Sequence, residues 1–143
     1  MGNPTGAMVV IGDEILSGRT RDSNLHYLAG ELTRVGIDLR EARVVADDHA
    51  AIVAAVRALS AAHDHVFTSG GIGPTHDDIT ADAVAEAMGA KIGHRADAMA
   101  LLAAHYDRQG LPFNEPRPPI ARIPAGAQLI DNLGAMRGMQ VAA

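Results

Sequence analysis

The chain contains no cysteine and no tryptophan, and aromatic residues make up 3% of its 143 positions. Without cysteine there can be no disulfide, no zinc–thiolate site and no thiol nucleophile. With so few aromatics the interior must be built from Val, Ile, Leu, Met and much Ala, which suits close packing of helices on a sheet. No long basic run occurs and the net charge is −5 at pH 7, so nucleic acid is not an expected partner. No apolar run approaches the length of a membrane span. The opening residues MGNPTGA have neither the cationic nor the apolar region of a signal peptide. A soluble, cytoplasmic protein without a membrane partner is expected. The length suits one domain, over 1–143.

What is present is organised around residues 65–80, HVFTSGGIGPTHDDIT. Val66 and Phe67, followed by Thr68 and Ser69, read as a short buried strand. Gly70-Gly71-Ile72-Gly73-Pro74 cannot lie inside a strand or helix, and from Thr80 the chain reads as a helix that stops at Gly89. A strand feeding a glycine turn feeding a helix start directs backbone N–H groups and the positive helix end at one place, where an anion fits. The turn is not a GxGxxG fingerprint, because His76 stands where the third glycine belongs, and no Gly-Lys-Ser/Thr follows. An ordinary βα turn would account for the glycines equally well. The acid pair Asp77 and Asp78 favours the ligand site, because carboxylates at the mouth of a phosphate cradle suggest a divalent cation.

The other elements follow from periodicity and punctuation. Met8-Val9-Val10-Ile11 predicts a first strand, ending in Gly12-Asp13-Glu14, and residues 15–20 read as loop. Asp22 or Ser23 can cap a helix whose apolar stripe is Leu25, Leu28, Leu32 and Val35. Residues 37–45 read as a second strand, and Asp47 or Asp48 can cap a helix that buries Ile52, Val56 and Leu59. Lys91-Ile92 suggests an edge strand, 97–109 a helix, 111–119 a proline-rich loop, and 120–123 and 127–130 two short strands. No element is predicted from 131 onward. The order β-α-β-α-β-loop-α argues for an α/β domain with a mainly parallel sheet, whose ligands sit at the C-terminal strand ends. Asp13/Glu14, Asp47/Asp48 and Asp77/Asp78 all fall there. Helix capping explains one acid per site, and at Asp47/Asp48 it accounts for the residues as well as a ligand site does. It explains Asp13/Glu14 poorly, because no helix is predicted directly after them. Two carboxylates about 4 Å apart repel by roughly 4 kcal/mol at an effective dielectric of about 20. With a phosphate added, a cation is needed, and all-oxygen ligands favour Mg²⁺.

Two motifs together, Gly12-Asp13-Glu14-Ile15-Leu16-Ser17-Gly18-Arg19-Thr20 with Asn24, and Thr68-Ser69-Gly70-Gly71-Ile72-Gly73-Pro74-Thr75-x-Asp77-Asp78-Ile79-Thr80, resemble the molybdopterin-binding domain of the MogA/MoaB type. The match is closest to its CinA-type branch and covers about residues 8 to 132, with Asn114 and Pro124 also fitting the later pattern. The resemblance implies a three-layer α/β/α sandwich, a molybdopterin or nucleotide ligand, and a role near molybdenum-cofactor biosynthesis. In the CinA-type branch it implies hydrolysis of a nucleotide diphosphate sugar such as ADP-ribose. Carried over, Gly70, Gly71, Gly73 and Thr75 would cradle phosphate, with Ser69, Pro74 and Thr80 in the same binding motif. Asp77 and Asp78 would be catalytic and hold Mg²⁺, and Asp13, Glu14, Ser17 and Asn24 would face them. The chain departs from the family after Asn132, where a Pro-x-Gly-x-Ala-Pro-Gly loop is replaced by LGAMRGMQVAA, so the part from about 131 is atypical or shortened. Relatives of this kind form symmetric oligomers, which implies a homo-oligomer, trimer ahead of dimer.

Overall fold

The computed structural model describes residues 2–71, 79–94, 96–108, 110, 122–124, 128–130 and 138–140. Its elements run β1 (Thr5–Ile11), α1 (Asp13–Leu16), α2 (Asn24–Val35), β2 (Asp38–Val45), α3 (His49–Ala62), β3 (His65–Ser69), α4 (Thr80–Ala87), β4 (Ile92–His94), α5 (Ala96–Arg108), β5 (Arg122–Pro124), β6 (Gln128–Ile130) and β7 (Gly138–Gln140). The central sheet is parallel with order β2-β1-β3. Its most apolar strand, β1, lies in the middle and is buried from Gly6 to its end, as expected of a strand flanked and covered on both faces. Two antiparallel pairs, β4-β5 and β6-β7, stand apart from this sheet.

The connection from β1 to β2 runs one way along the sheet, and that from β2 to β3 runs back past β1. With right-handed crossovers, the two connecting helices must cover opposite faces. Alternate residues Ala7, Val9 and Ile11 of β1 form the core with Ile52, Val53, Val56 and Leu59 of α3 and Ala83 of α4. The intervening residues Met8 and Val10 are also buried, on the face that α2 crosses. The result is a three-layer α/β/α sandwich with a parallel sheet. Among the described residues no helix is long and apolar enough to cross a membrane.

The expected stripe of α3 is buried as read, with Ile52 and Leu59 fully enclosed. Asp48 is its N-cap, accepting from Ala51 N at 2.9 Å. Asp22 caps α2 from just outside, accepting from Asn24 N and Leu25 N at 3.2 and 3.1 Å. The stripe of α2 is shallower than expected. Leu32 is buried, Leu25 and Leu28 are half-buried, and Val35 stands 57% exposed in the last turn, where Gly36 redirects the chain into β2. The chain after 131 also carries an element that the sequence reading did not expect: β7 pairs antiparallel with β6, Leu129 opposite Met139. A run of three strand residues containing glycine has too little alternation to be read as a strand.

At the N-terminal edge of the sheet, Thr5 and Asp64 bind each other. Thr5 N donates to Asp64 Oδ2 at 2.8 Å, and Asp64 N donates to Thr5 Oγ1 at 3.2 Å. The Thr5 backbone N–H holds the Asp64 carboxyl below its usual range. This clasp ties the start of β1 to the residue before β3, next to the pair Gly6 and His65; at the far end Ser69 lies opposite Val10, one residue before β1 ends.

Candidate functional site

Three parallel strands in the order β2-β1-β3 finish side by side at Val45, Ile11 and Ser69. After β1 the chain heads for α2 on one face; after β3 it heads for α4, whose Ala83 packs on the other face. The two exits diverge to opposite faces between the C-terminal ends of β1 and β3, the topological switch point at which ligands of such sheets bind.

On the β1 side, Gly12 N donates to Val45 O at 3.0 Å and carries the bond network one residue past the strand. Asp13 and Glu14 then open a helix after all. The four-residue α1 starts at Asp13, with Gly12 O accepting from Ile15 N at 3.2 Å. It is a single turn, too short for a periodic stripe, which is why those residues read as loop. The Asp13 carboxylate is engaged with the neighbouring strand end: Asp13 N donates to Asp47 Oδ2 at 2.9 Å and Asp47 N donates to Asp13 Oδ1 at 3.0 Å. This reciprocal pair locks the exit of β1 to the exit of β2. The Glu14 carboxylate folds back over Gly12, where a Cβ would lie 2.5 Å from Glu14 Oε1. Ser17 Oγ donates to Glu14 O and accepts from Arg19 Nε, at 3.3 and 3.2 Å.

On the β3 side, Ser69 is the last strand residue and pairs with Val10. Gly70 and Gly71 both have positive φ, 93° and 64°. A Cβ on Gly70 would be driven into the carbonyl oxygen of Ile11, and one on Gly71 into Thr80 Oγ1. Thr80, only 1% exposed, donates its hydroxyl to Gly70 O at 2.8 Å and its N–H to Gly71 O at 3.1 Å. The chain's own packing therefore demands these two glycines with or without a ligand. The first N–H of α4 is likewise spent on Gly71 O.

The structure thus brings Gly70, Gly71 and Thr80 together with the end of β1. It links Asp13 to Asp47, a residue read from sequence as a possible cap and as one of the acids at the C-terminal strand ends. Asp47 could not be picked out from spacing, since the pairing needs β1 and β2 to be neighbours. Ser17 and Asn24 are exposed, and no hydrogen bond joins either to the glycine turn among the described residues. Ile72, Gly73, Pro74, Thr75, His76, Asp77 and Asp78, together with Asn114, lie outside the described residues. Among the described residues no group of three or more His, Asp or Glu side chains could hold a metal ion. Asp13 and Asp47 each accept the other's backbone N–H through one carboxylate oxygen. Replacing Asp47 by alanine is expected to lower stability by about 1 kcal/mol, and by asparagine, which still accepts, by less. Chemical denaturation of the two variants measures this.

A family model described as "Probable molybdopterin binding domain" matches residues 7–141, reaching past β6 to the end of β7. The chain is 51% identical over 76 residues to "Probable FAD synthase" of Caenorhabditis elegans, which is 53% of this chain and 15% of that one. It is 35% identical over 129 residues to a protein of Metallosphaera sedula, 90% of this chain and 49% of the other. It thus spans about half the length, or less, of these curated relatives. Among solved structures, CinA of Thermoplasma acidophilum, a protein of unknown function, has a TM-score of 0.85 and 32% identity, over 96% of this chain and 80% of that one. MoaB of Pyrococcus furiosus, a tungsten-cofactor-synthesizing protein, has a TM-score of 0.57 at 20% identity, over 76% of this chain and 66% of that one, and shares the fold. The chain belongs to the family of probable molybdopterin binding domains, of the MogA/MoaB type and near CinA.

Proposed function

We propose that the switch point between the ends of β1 and β3 binds a phosphate-bearing pterin or nucleotide and that the domain hydrolyses a nucleotide diphosphate such as ADP-ribose. The observation that carries this reading is the pinned turn at Gly70 and Gly71, held against Ile11 at the point where the sheet's connections diverge. A backbone turn fixed in this way presents peptide groups without reorganisation, which is what stabilising charge on phosphate oxygens requires. Asp77 and Asp78 are the candidate metal ligands and Mg²⁺ the candidate ion, because adjacent carboxylates supply hard oxygen donors. Bound there, Mg²⁺ would offset the charge that builds at phosphorus. In the reaction the oxygen of water bonds to one phosphorus, the bridging P–O bond breaks, and ADP-ribose yields AMP and ribose phosphate. The similarity to a probable FAD synthase adds FAD to the compounds to test, since FAD contains the same kind of diphosphate bridge.

A second reading is a non-catalytic module that holds a molybdopterin-type ligand for molybdenum-cofactor biosynthesis. The family description favours it, since it names binding and no reaction. Incubation with Mg²⁺ or Co²⁺ and either ADP-ribose or FAD, followed by chromatography for AMP, separates the two. Release of AMP supports the hydrolase. Intact dinucleotide after hours, with tight binding of an adenylated pterin in calorimetry, leaves the binding module. Binding of neither ligand overturns both.

A further inference from the structure

We propose that Thr80 is a positioning residue, the clamp that sets the shape of the glycine turn on which the ligand reading above rests. Thr80 lies ten positions after Gly70, yet its hydroxyl donates to Gly70 O at 2.8 Å and its N–H to Gly71 O at 3.1 Å. It is a buried polar side chain at the head of a helix that also buries Ala81, Ala83 and Ala85. In such surroundings a hydroxyl without a partner is costly, so its bond to Gly70 O is strongly favoured. The hydroxyl occupies the space that a Cβ on Gly71 would fill. The missing side chain at 71 and the hydroxyl at 80 are therefore two halves of one fitted contact.

The consequence is mechanical. Gly70 is wedged against Ile11 O on one side and bonded to Thr80 on the other, so the turn is fixed both to the central strand and to α4. The entropy of fixing Gly70 and Gly71 is therefore met when the domain folds rather than when a ligand arrives. Thr80 touches ligand in no step of this account. It acts through the peptide groups of Gly70 and Gly71.

Thr80→Val keeps the branched shape and removes the hydroxyl; Thr80→Ser keeps the hydroxyl and removes the methyl. In the full chain, hydrogen exchange of the amide at position 80 is expected to be about tenfold faster in T80V than in wild type or T80S, with the core amides of α3 unchanged. The dissociation constant for ADP-ribose with Mg²⁺ is expected to rise about tenfold in T80V and to stay within about twofold in T80S. Equal protection of the amide in T80V and wild type overturns the clamp, as does T80S behaving like T80V. Faster exchange with unchanged ADP-ribose affinity reduces Thr80 to a structural residue and also overturns it. If wild type binds neither ADP-ribose nor FAD, the ligand reading falls and the exchange result alone decides the clamp. If T80V does not fold, T80S carries the test: wild-type protection at position 80 supports the clamp, and its loss overturns it.

Discussion

Gly70→Ala is expected to lower the stability of the domain by about 3 kcal/mol or more, enough to leave much of the chain unfolded under ordinary conditions. Two costs add. The residue sits at a φ of 93°, where a side chain is strained. The new Cβ would also be driven into the carbonyl oxygen of Ile11, a backbone atom of the central strand, in a residue 2% exposed. A flexible side chain could swing aside, but this carbonyl can move only if β1 shifts against β2 and β3. Gly71→Ala is expected to cost less. Its φ of 64° is the left-handed region that costs an L residue about 1 to 2 kcal/mol, and its Cβ meets a side-chain hydroxyl, which can turn aside at the loss of its bond to Gly70 O, about 1 kcal/mol, rather than a fixed carbonyl of the sheet. Urea denaturation of both variants should place Gly70→Ala well below Gly71→Ala. A midpoint for Gly70→Ala close to that of wild type would mean that the turn does not lie against Ile11.

This order of costs shows what the sequence could and could not reveal. The glycine turn was legible at once, because Gly-Gly-x-Gly after an apolar strand has few other uses. Which work each glycine does was not, because it depends on Ile11 and Thr80, residues 59 and 9 positions from Gly70 and Gly71 respectively. The core of α3 was legible because Ile52, Val56 and Leu59 repeat at helical spacing on a face that has only one place to go. The stripe of α2 was overread at Val35, since periodicity reports a face and not how far the sheet extends beneath it. Asp13 and Asp47 show the same limit. Each is an acid after a strand, and only the neighbouring positions of β1 and β2 turn the two into a reciprocal pair. Long-range contacts of this kind leave no local pattern, while caps such as Asp48 do, because a cap and its helix are adjacent in sequence.

Asp77 and Asp78 set up the opposite kind of experiment, in which stability stays put and chemistry changes. Asp78→Asn keeps size and acceptor oxygen but removes one charge, and is expected to reduce hydrolysis of ADP-ribose by at least about a hundredfold, since a metal's charge stabilisation is worth several kcal/mol. The unfolding free energy should remain within about 0.5 kcal/mol of wild type, since the substitution keeps size and an acceptor oxygen. The sharper readout is binding measured with and without a chelator. Two adjacent carboxylates facing a diphosphate repel it, by roughly 4 kcal/mol for each pair of unit charges about 4 Å apart at an effective dielectric near 20. Wild type should therefore bind ADP-ribose tightly with Mg²⁺ and poorly after chelation. Asp78→Asn should bind more weakly than wild type with Mg²⁺, yet lose less of its affinity when the metal is removed, because part of the repulsion has gone with the charge. Equal sensitivity to chelator in both proteins would place the metal elsewhere. Insensitivity in both would remove the metal from ligand binding altogether, and with it the roles proposed for Asp77 and Asp78.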